Sequence, residues 1–259
     1  MKRIYNACSR YSRKLTEISY YSVTQKLHIG YCPICELKVF FIKKGDWLRD
    51  IYFCQQCNSI PRQRAIIVAL NLFYPDWRNL KIHESSPSGV SSSFIQKNCL
   101  QYIPSQFFQD TPLGELKNSI RCENLEKMTF EDRSLDLIIT QDVFEHVMNP
   151  AAAFQEISRV LKPGGAHIFT MPWYPKLKKT VQRAKMVNGE IEFLEEPVYH
   201  GNPIDPEGSL VTFDWGIDFT DYIYKNSGMF TTIYLVNDKS MGLEAEFLEV
   251  FISRKCEKL

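Results

Sequence analysis

The sequence predicts an α/β protein: a doubly wound sheet of mostly parallel strands, preceded by a small β module. Two observations carry that reading. Residues 134–172, SLDLIITQDVFEHVMNPAAAFQEISRVLKPGGAHIFTMP, read as a complete strand, helix, strand unit with its punctuation in place. Ahead of it, four cysteines fall as Cys32-Pro-Ile-Cys35 and Cys54-Gln-Gln-Cys57, the pattern C-x2-C-x18-C-x2-C. The chain's 259 residues, 44% of them hydrophobic, leave room for one such sheet domain and something small beside it.

Residues 1–30 form a basic arm, in which Lys2, Arg3, Arg10, Arg13, Lys14 and Lys26 face a single acid, Glu17. Such an arm can touch phosphate or lipid headgroups, or can simply be solvated. It lacks the continuous apolar core of a secretory signal. The longest apolar run, Ala65–Tyr74, is about half of what a bilayer span requires. A soluble, cytoplasmic protein is therefore expected. With 31 basic and 30 acidic residues, the whole chain has no general attraction to nucleic acid or anionic membranes.

Residues 31–60 hold the two cysteine pairs. Knuckles of this kind on facing turns can place four thiolates around one Zn²⁺, and Val39, Phe40, Phe41, Ile42, Trp47 and Tyr52 can form the β-ribbon between them. A site of Cys32, Cys35, Cys54 and Cys57 has no open position, so its role would be structural; redox dithiols or a decayed site are the other readings. Cys8, Cys99, Cys122 and Cys256 have no such pairing and read as free thiols in a reducing compartment. Residues 61–78 supply a connecting helix that runs to about Tyr74 and stops at Pro75. Arg62 and Arg64 lie at its positive end, where an anion contact, packing against the ribbon or an internal ion pair would all be served.

In the strand, helix, strand unit, Leu135–Thr140 is an apolar run suited to a strand buried on both faces, ended by Gln141 and Asp142. Asn149 can cap the helix while Pro150 sits in its first turn. Phe154, Ile157, Val160 and Leu161 share one face, and Pro163-Gly164-Gly165 stops the helix before the strand Ala166–Met171.

D-L-I-I-T-Q-D-V-F-E-H-V followed by E-I-S-R-V-L-K-P-G-G resembles the fourth-strand to fifth-strand core of class I S-adenosylmethionine-dependent methyltransferases of the type 11-like group. More loosely, the resemblance runs from Asn79 to the C-terminus. It implies a Rossmann-like, doubly wound seven-stranded sheet over residues 79–259 that ends in a reversed hairpin. Phe230–Val236 and Glu244–Ser253 would form that hairpin, Asn237–Gly242 its loop, and Ile217–Asn226 the last helix. It also implies the cofactor S-adenosylmethionine.

In the family, the first strand ends in an acid and a glycine-rich turn. Here Lys81-Ile-His-Glu-Ser-Ser-Pro-Ser-Gly89 keeps Glu84 and Gly89, while Ser85, Ser86, Pro87 and Ser88 replace most glycines. Small hydroxyl residues still permit a tight turn and offer donors to a carboxylate. The second strand, about Cys99–Ile103, is followed by Pro104-Ser105 in place of the acid that usually holds a ribose diol; Gln109 or Asp110 would have to substitute. Ile120–Phe130 resembles the adenine-binding turn, with Glu123 and Asn124 at the base edge and Leu125 on its face. Gln141, Asp142 and Val143 at the fourth strand's end complete the expected cofactor set, on the strand edge where open α/β sheets bind ligands.

A sulfonium methyl is already activated, so transfer needs an acceptor held in line and, for a hydroxyl or amine, a group that takes its proton. Histidine suits that task near neutral pH. His200, in the turn-rich loop Pro197–Gly208, and His146, four residues after Asp142, are the candidates, although His146 can also serve only to pack its loop. His83 and His167 fall inside strands and read as core residues. The segment from Trp173 onward is expected to form a lid in which Trp173, Tyr174, Tyr199 and Asn202 contact substrate, with Asp205, Phe213, Asp214 and Trp215 nearby. Aromatic platforms with polar ends suit a sugar or polyol; a packed lid without substrate contact is the alternative.

The leading reading is a methyltransferase acting on a hydroxyl of a sugar-derived or other small polar metabolite. A zinc-ribbon RNA methyltransferase is its rival, but near-neutral charge and a ribbon without a basic, aromatic-studded face argue against nucleic acid. A non-catalytic module that recruits a partner is the third. An oxidoreductase is disfavoured, since no G-x-G-x-x-G follows the first strand.

Overall fold

The computed structural model describes residues 26–201 and 207–256. Most of the basic arm, with Cys8, lies outside the described residues, as do Asn202 and Asp205. Leu27–Cys32 (β1) and Leu37–Lys43 (β2) form an antiparallel hairpin whose turn is the first cysteine knuckle. A single helical turn, Leu48–Ile51 (α1), leads to Tyr52–Cys54 (β3), which pairs with β2. Pro61–Phe73 (α2) follows, with Pro61 at its first position and the Gln63 side chain accepting from the Ile60 amide at 3.2 Å.

The sheet domain then unrolls as Lys81–Ser85 (β4), Gly89–Asn98 (α3), Gln101–Gln106 (β5), Leu116–Lys117 (β6), Ile120–Cys122 (β7), Leu135–Gln141 (β8), Pro150–Val160 (α4) and Leu161–Thr170 (β9). Short antiparallel pieces fill the next stretch: Val181–Gln182 (β10), Ala184–Val187 (β11), Glu190–Phe193 (β12), Tyr199–His200 (β13), Ser209–Leu210 (β14) and Phe213–Asp214 (β15). Phe219–Ser227 (α5), Phe230–Tyr234 (β16) and Val250–Arg254 (β17) close the chain.

The main sheet runs β16-β17-β9-β8-β4-β5-β7-β6. From β7 through β9 its neighbours are parallel, while β17 is antiparallel to both β9 and β16, so the expected reversed hairpin is present. The chain winds outward from β4 through β5 to β7, then returns to the other side of β4 as β8. That reversal opens a crevice at the carboxyl ends of β4 and β8.

Three boundaries differ from expectation. The second strand continues through Pro104 to Gln106, because the side of β5 facing β7 is unpaired until Ser105 and a proline there costs no ladder bond. The fifth strand begins at Leu161, and Pro163-Gly164-Gly165 loops out of the ladder between its first pair and Ala166. The terminal hairpin is connected by a longer excursion, which includes a 3-10 turn at Lys239–Met241, so Val250 rather than Glu244 starts the last strand.

Residues 31–78 pack directly on the sheet. One hydrophobic cluster runs from Cys32, Phe41 and Tyr52 of the ribbon through Ile66 and Leu70 of α2 to Ile82, Ile139, Ile168 and Val250 of the sheet. Arg64 is fully buried at this junction. It donates to the backbone carbonyls of Ser59, Tyr52 and Gly242, and its guanidinium lies 4.7 Å from the centre of the Phe41 ring. The opposite face is covered by α4 and α5 through Phe154, Ile157, Phe219 and Ile223. Among the described residues, no helix is long and apolar enough to cross a membrane.

Candidate functional site

The crevice opens into a cavity of about 1030 Å³. Its floor is built by three adjacent parallel strands: Ser86, Pro87 and Ser88 follow β4, Gln106 ends β5, and Gln141, Asp142 and Val143 lie at the end of β8. Beneath the floor, Glu84 is buried and fully partnered. Its carboxylate accepts from Ser92 at 2.7 Å, Gln141 at 2.8 Å and Tyr102 at 2.7 Å. Burial nevertheless raises its pKa, since three neutral donors offset only part of the lost hydration. Ser86 adopts φ +54° and its amide donates to the Ser105 carbonyl at 2.8 Å, which fixes the turn where glycines are usual.

Asp142 also has positive φ, +52°. Its carboxylate accepts from both terminal nitrogens of Arg49 at 2.9 and 2.8 Å, from Arg62 at 2.5 Å and from the Thr170 hydroxyl at 2.9 Å. Burial alone would raise this carboxyl, but the two arginines outweigh it and hold Asp142 well below the usual carboxylate range. Arg49 comes from the ribbon and Arg62 from the start of α2, so the N-terminal residues form one wall of the cavity together with Trp47 and Asp50. Arg62 also pairs with Asp50 at 3.3 Å.

The cavity is also lined by Glu145, His146 and His200, whose ligand atoms all lie within 4.8 Å of one another. The stretch β14–β15 brings them together. Thr212 donates from its amide and hydroxyl to the Glu145 carbonyl at 2.7 and 3.1 Å, while β13 pairs with β14 and sets His200 beside His146, ring centres 5.2 Å apart. His146 Nδ1 lies 2.8 Å from the Leu210 carbonyl, which can only accept, so the proton is on Nδ1 and Nε2 faces Glu145 at 3.8 Å. Burial lowers the pKa of both histidines, which keeps the imidazoles neutral near neutral pH. Glu145 is buried and neither carboxylate oxygen has a hydrogen-bond partner; burial first, then the Asp142 charge, pushes its pKa well up. A second cavity of about 530 Å³ adjoins, sharing Tyr174 and His200 with the first.

Cys32, Cys35, Cys54 and Cys57 converge at the ribbon's end with their sulfurs within 4.8 Å of one another. Cys32 and Cys57 are 3.8 Å apart and Cys35 and Cys54 3.7 Å. Thiolates around one Zn²⁺, each about 2.3 Å from the metal, stand about 3.8 Å apart. The four residues could therefore hold a tetrahedral ion after side-chain shifts of at most about 1 Å.

Of the residues read from sequence as cofactor or substrate contacts, Ser86, Pro87, Gln141, Asp142, Val143, His146, Tyr174, Tyr199 and His200 line the cavity. Others do not reach it. Glu123 is buried beneath Arg121 and Thr129, Asn124 accepts from the Glu126 amide at 2.9 Å in a local turn, and Leu125 belongs to the core. Trp173 packs on Phe219 and Phe251 and donates to the Gly216 carbonyl, so it supports the lid segment from behind. Gly89 serves another contact: its φ is +74°, and a Cβ there would overlap the Gln63 amide of α2. Asp110, offered as a ribose contact, is an exposed partner of Lys117; Gln106 takes the position at the end of the second strand. His83 and His167 are core residues as expected, hydrogen-bonded to Ser105 and Thr140 and pushed down to about 3 by burial. Among the cavity residues that sequence reasoning passed over are Trp47, Arg49, Asp50, Gln106, Glu145, Ser209 and Phe247. Only Glu145 carried a local signal, an acid adjoining a candidate histidine.

Residues 98–169 match the family described as methyltransferase domain, a little over a quarter of the chain. An uncharacterized methyltransferase of Schizosaccharomyces pombe is 36% identical over 64 residues, 22% of this chain and 23% of that protein. A dimethylglycine N-methyltransferase of Parasynechococcus marenigrum is 36% identical over 58 residues, 22% of this chain and 21% of that protein. The matched segments thus span only about a fifth of these relatives' own length. The crystal structure of an S-adenosylmethionine-dependent methyltransferase from Mesorhizobium loti aligns with 15% identity and a TM-score of 0.46, covering 73% of this chain and 96% of that one. The strand order, the reversed last strand and the matched segment define a class I methyltransferase domain. The chain thus carries a segment that matches the methyltransferase domain family, within a sheet of the class I S-adenosylmethionine-dependent methyltransferase order.

Proposed function

We propose that this protein transfers a methyl group from S-adenosylmethionine to an oxygen of a small polar, sugar-derived or other polyol acceptor. The single observation that supports this best is the two-sided cavity: the carboxyl ends of three parallel strands form one side, and a Glu-His-His group faces them. Its volume of about 1030 Å³ is at the upper end for ligand sites and suits a cofactor and an acceptor together. Ser86, Ser88, Gln106 and Gln141 supply the hydroxyl and amide groups that would bond the cofactor's polar ends. S-adenosylmethionine, when bound, supplies an activated sulfonium methyl that needs an acceptor in line with the S–CH₃ bond.

The chain's own residues then have two tasks. Tyr174 and Tyr199, both partly exposed at the cavity, offer ring faces for the apolar side of a sugar ring, with Asp50 and Ser209 at its hydroxyls. The Glu145–His146–His200 group lies where the acceptor's proton must be released. The named relatives act on different acceptors, one on the nitrogen of dimethylglycine and another, from Marinomonas, on an oxygen of malonyl-[acyl-carrier protein], so the polyol reading rests on the cavity's chemistry. Calorimetric titration with S-adenosylmethionine and S-adenosylhomocysteine, followed by an S-adenosylhomocysteine release assay over sugar, nucleotide-sugar and amine acceptors, tests it. Tight binding of both ligands with turnover on a hydroxyl acceptor is expected; failure to bind either would sink the reading.

We further propose that Cys32, Cys35, Cys54 and Cys57 bind one structural Zn²⁺. Four thiolates leave no open coordination position, so the ion would staple the ribbon rather than react.

A further inference from the structure

We propose that Glu145, His146 and His200 bind a divalent metal ion in the acceptor half of the cavity, distinct from the four-cysteine site, and that this ion holds the acceptor oxygen. Three independent features point to it. First, both oxygens of the buried Glu145 carboxylate lack a partner, although buried carboxylates are almost always satisfied. Arg49 is not available to it: its guanidinium is held by the Asp142 carboxylate and by the Phe247 carbonyl at 3.3 Å. Second, the arginines of the cavity are already engaged: Arg49 is paired with Asp142, and Arg62 with Asp142 and Asp50, and neither makes an ion pair with Glu145. Third, His146 is set up as a ligand. Its Nδ1–H is anchored on the Leu210 carbonyl, the outer-shell bond that commonly orients a metal-binding imidazole, and its Nε2 lone pair faces Glu145.

Two imidazoles and one carboxylate suit Mn²⁺, Fe²⁺, Co²⁺ or Zn²⁺ and leave coordination positions open. Donors bound to one such ion at about 2.1 Å stand about 3–3.5 Å apart, so side-chain rotations of about 1 Å would close the present group. The Glu145 backbone is pinned by Thr212 and His200 is held by the β13–β14 pair, so the ligands arrive from two segments already laced together.

The inference rests on the methyltransferase reading for what the ion does. An acceptor hydroxyl bound in an open position has its acidity increased, as a metal-bound water does. Its O–H bond breaks and the proton leaves to solvent through the open cavity. The oxygen's electron pair then forms the bond to the methyl carbon while the S–CH₃ pair stays on sulfur, giving a methyl ether and S-adenosylhomocysteine. An acceptor presenting two adjacent hydroxyls could fill two open positions, which fits a vicinal diol.

The test uses the full-length protein with its cysteine site loaded with zinc. Mn²⁺ is titrated alone and the free ion followed by electron paramagnetic resonance, since Mn²⁺ prefers oxygen and nitrogen ligands to thiolates. One Mn²⁺ per chain is expected, with affinity lowered at least about 10-fold in Glu145→Gln and in His200→Ala while the zinc content stays the same. Wild-type protein that takes up no Mn²⁺, or variants that bind it unchanged, would overturn the proposal. Should Glu145→Gln fail to fold, Co²⁺ added to the zinc-loaded wild type decides: d–d bands without thiolate charge transfer support the site, and thiolate charge transfer alone refutes it. S-adenosylmethionine affinity, measured in parallel without added metal, keeps the two readings apart. Binding of the cofactor with no metal uptake removes only the ion; no cofactor binding removes the methyltransferase reading itself.

Discussion

His200 lies at the join of the two cavities, and it is the one member of the Glu-His-His group that comes from the lid segment rather than from the loop after β8. As the acceptor's base or as a ligand of the proposed ion it serves the acceptor, so its loss should act on the acceptor and leave the cofactor alone. His200→Ala is expected to lower turnover by roughly 10²–10⁴-fold, with S-adenosylmethionine affinity within about twofold of wild type by calorimetry. Gln106 is the complementary case. It ends the second strand, where an acid is usual, and it faces the cavity. Loss of one net hydrogen bond is about 1 kcal/mol, so Gln106→Ala should weaken S-adenosylmethionine and S-adenosylhomocysteine alike by about 5–10-fold. A larger loss for one ligand than the other would place Gln106 near the methyl group instead.

The ribbon strands, α2 and the excursion before β17 form a single packed assembly, and two contacts report on it. Gly30 in β1 passes so close to the 3-10 turn that a Cβ would overlap the Ser240 backbone carbonyl. Backbone cannot rotate out of the way as a side chain can, so Gly30→Ala should destabilise the protein by about 1–3 kcal/mol, the usual range for overpacking, read as a lower denaturant midpoint with unchanged slope. The Asp142 pairings reach from β8 to α1 and α2. Asp142→Asn would leave the buried Arg49 guanidinium without its charge partner, while Arg62 keeps Asp50, a loss of about 3–5 kcal/mol. The same substitution should free the wall that carries Trp47, so intrinsic fluorescence is expected to change before global unfolding. The carboxylate's depressed pKa adds a sign: its contribution is complete above the unfolded value of about 3.9 and falls away as pH drops below it.

Across the molecule, one hydrophobic cluster joins the cysteine ribbon to the central strands. Removing the proposed zinc should therefore do more than loosen a small appendage. Cys35→Ser, or chelation of the metal, is expected to lower the midpoint of a single cooperative transition followed by both near- and far-ultraviolet circular dichroism. Because Trp47, Arg49, Asp50 and Arg62 line the cavity, cofactor or acceptor affinity should fall with it. Two separate transitions, with ligand affinity unchanged, would show the ribbon to be independent of the site.

What the sequence by itself determined is whatever local pattern encodes. The strand Leu135–Gln141, the helix capped by Asn149 and Pro150, the cysteine spacing and the core histidines were all legible, because periodicity, caps and ligand spacing act over a few residues. The position of the cavity on the strand ends was expected from the family resemblance, which implied the strand order and with it the reversal. Tertiary structure alone decided which side chains meet there. Arg49 and Asp142 are 93 residues apart and Thr212 clamps Glu145 from a distance of 67, so no local signal announced either contact. It also withdrew Glu123, Asn124, Leu125 and Trp173 from the cavity, where they satisfy turns and core packing. A turn that resembles a binding loop in sequence can spend its polar groups on itself, and only the folded geometry of its neighbours determines whether any remain for a ligand.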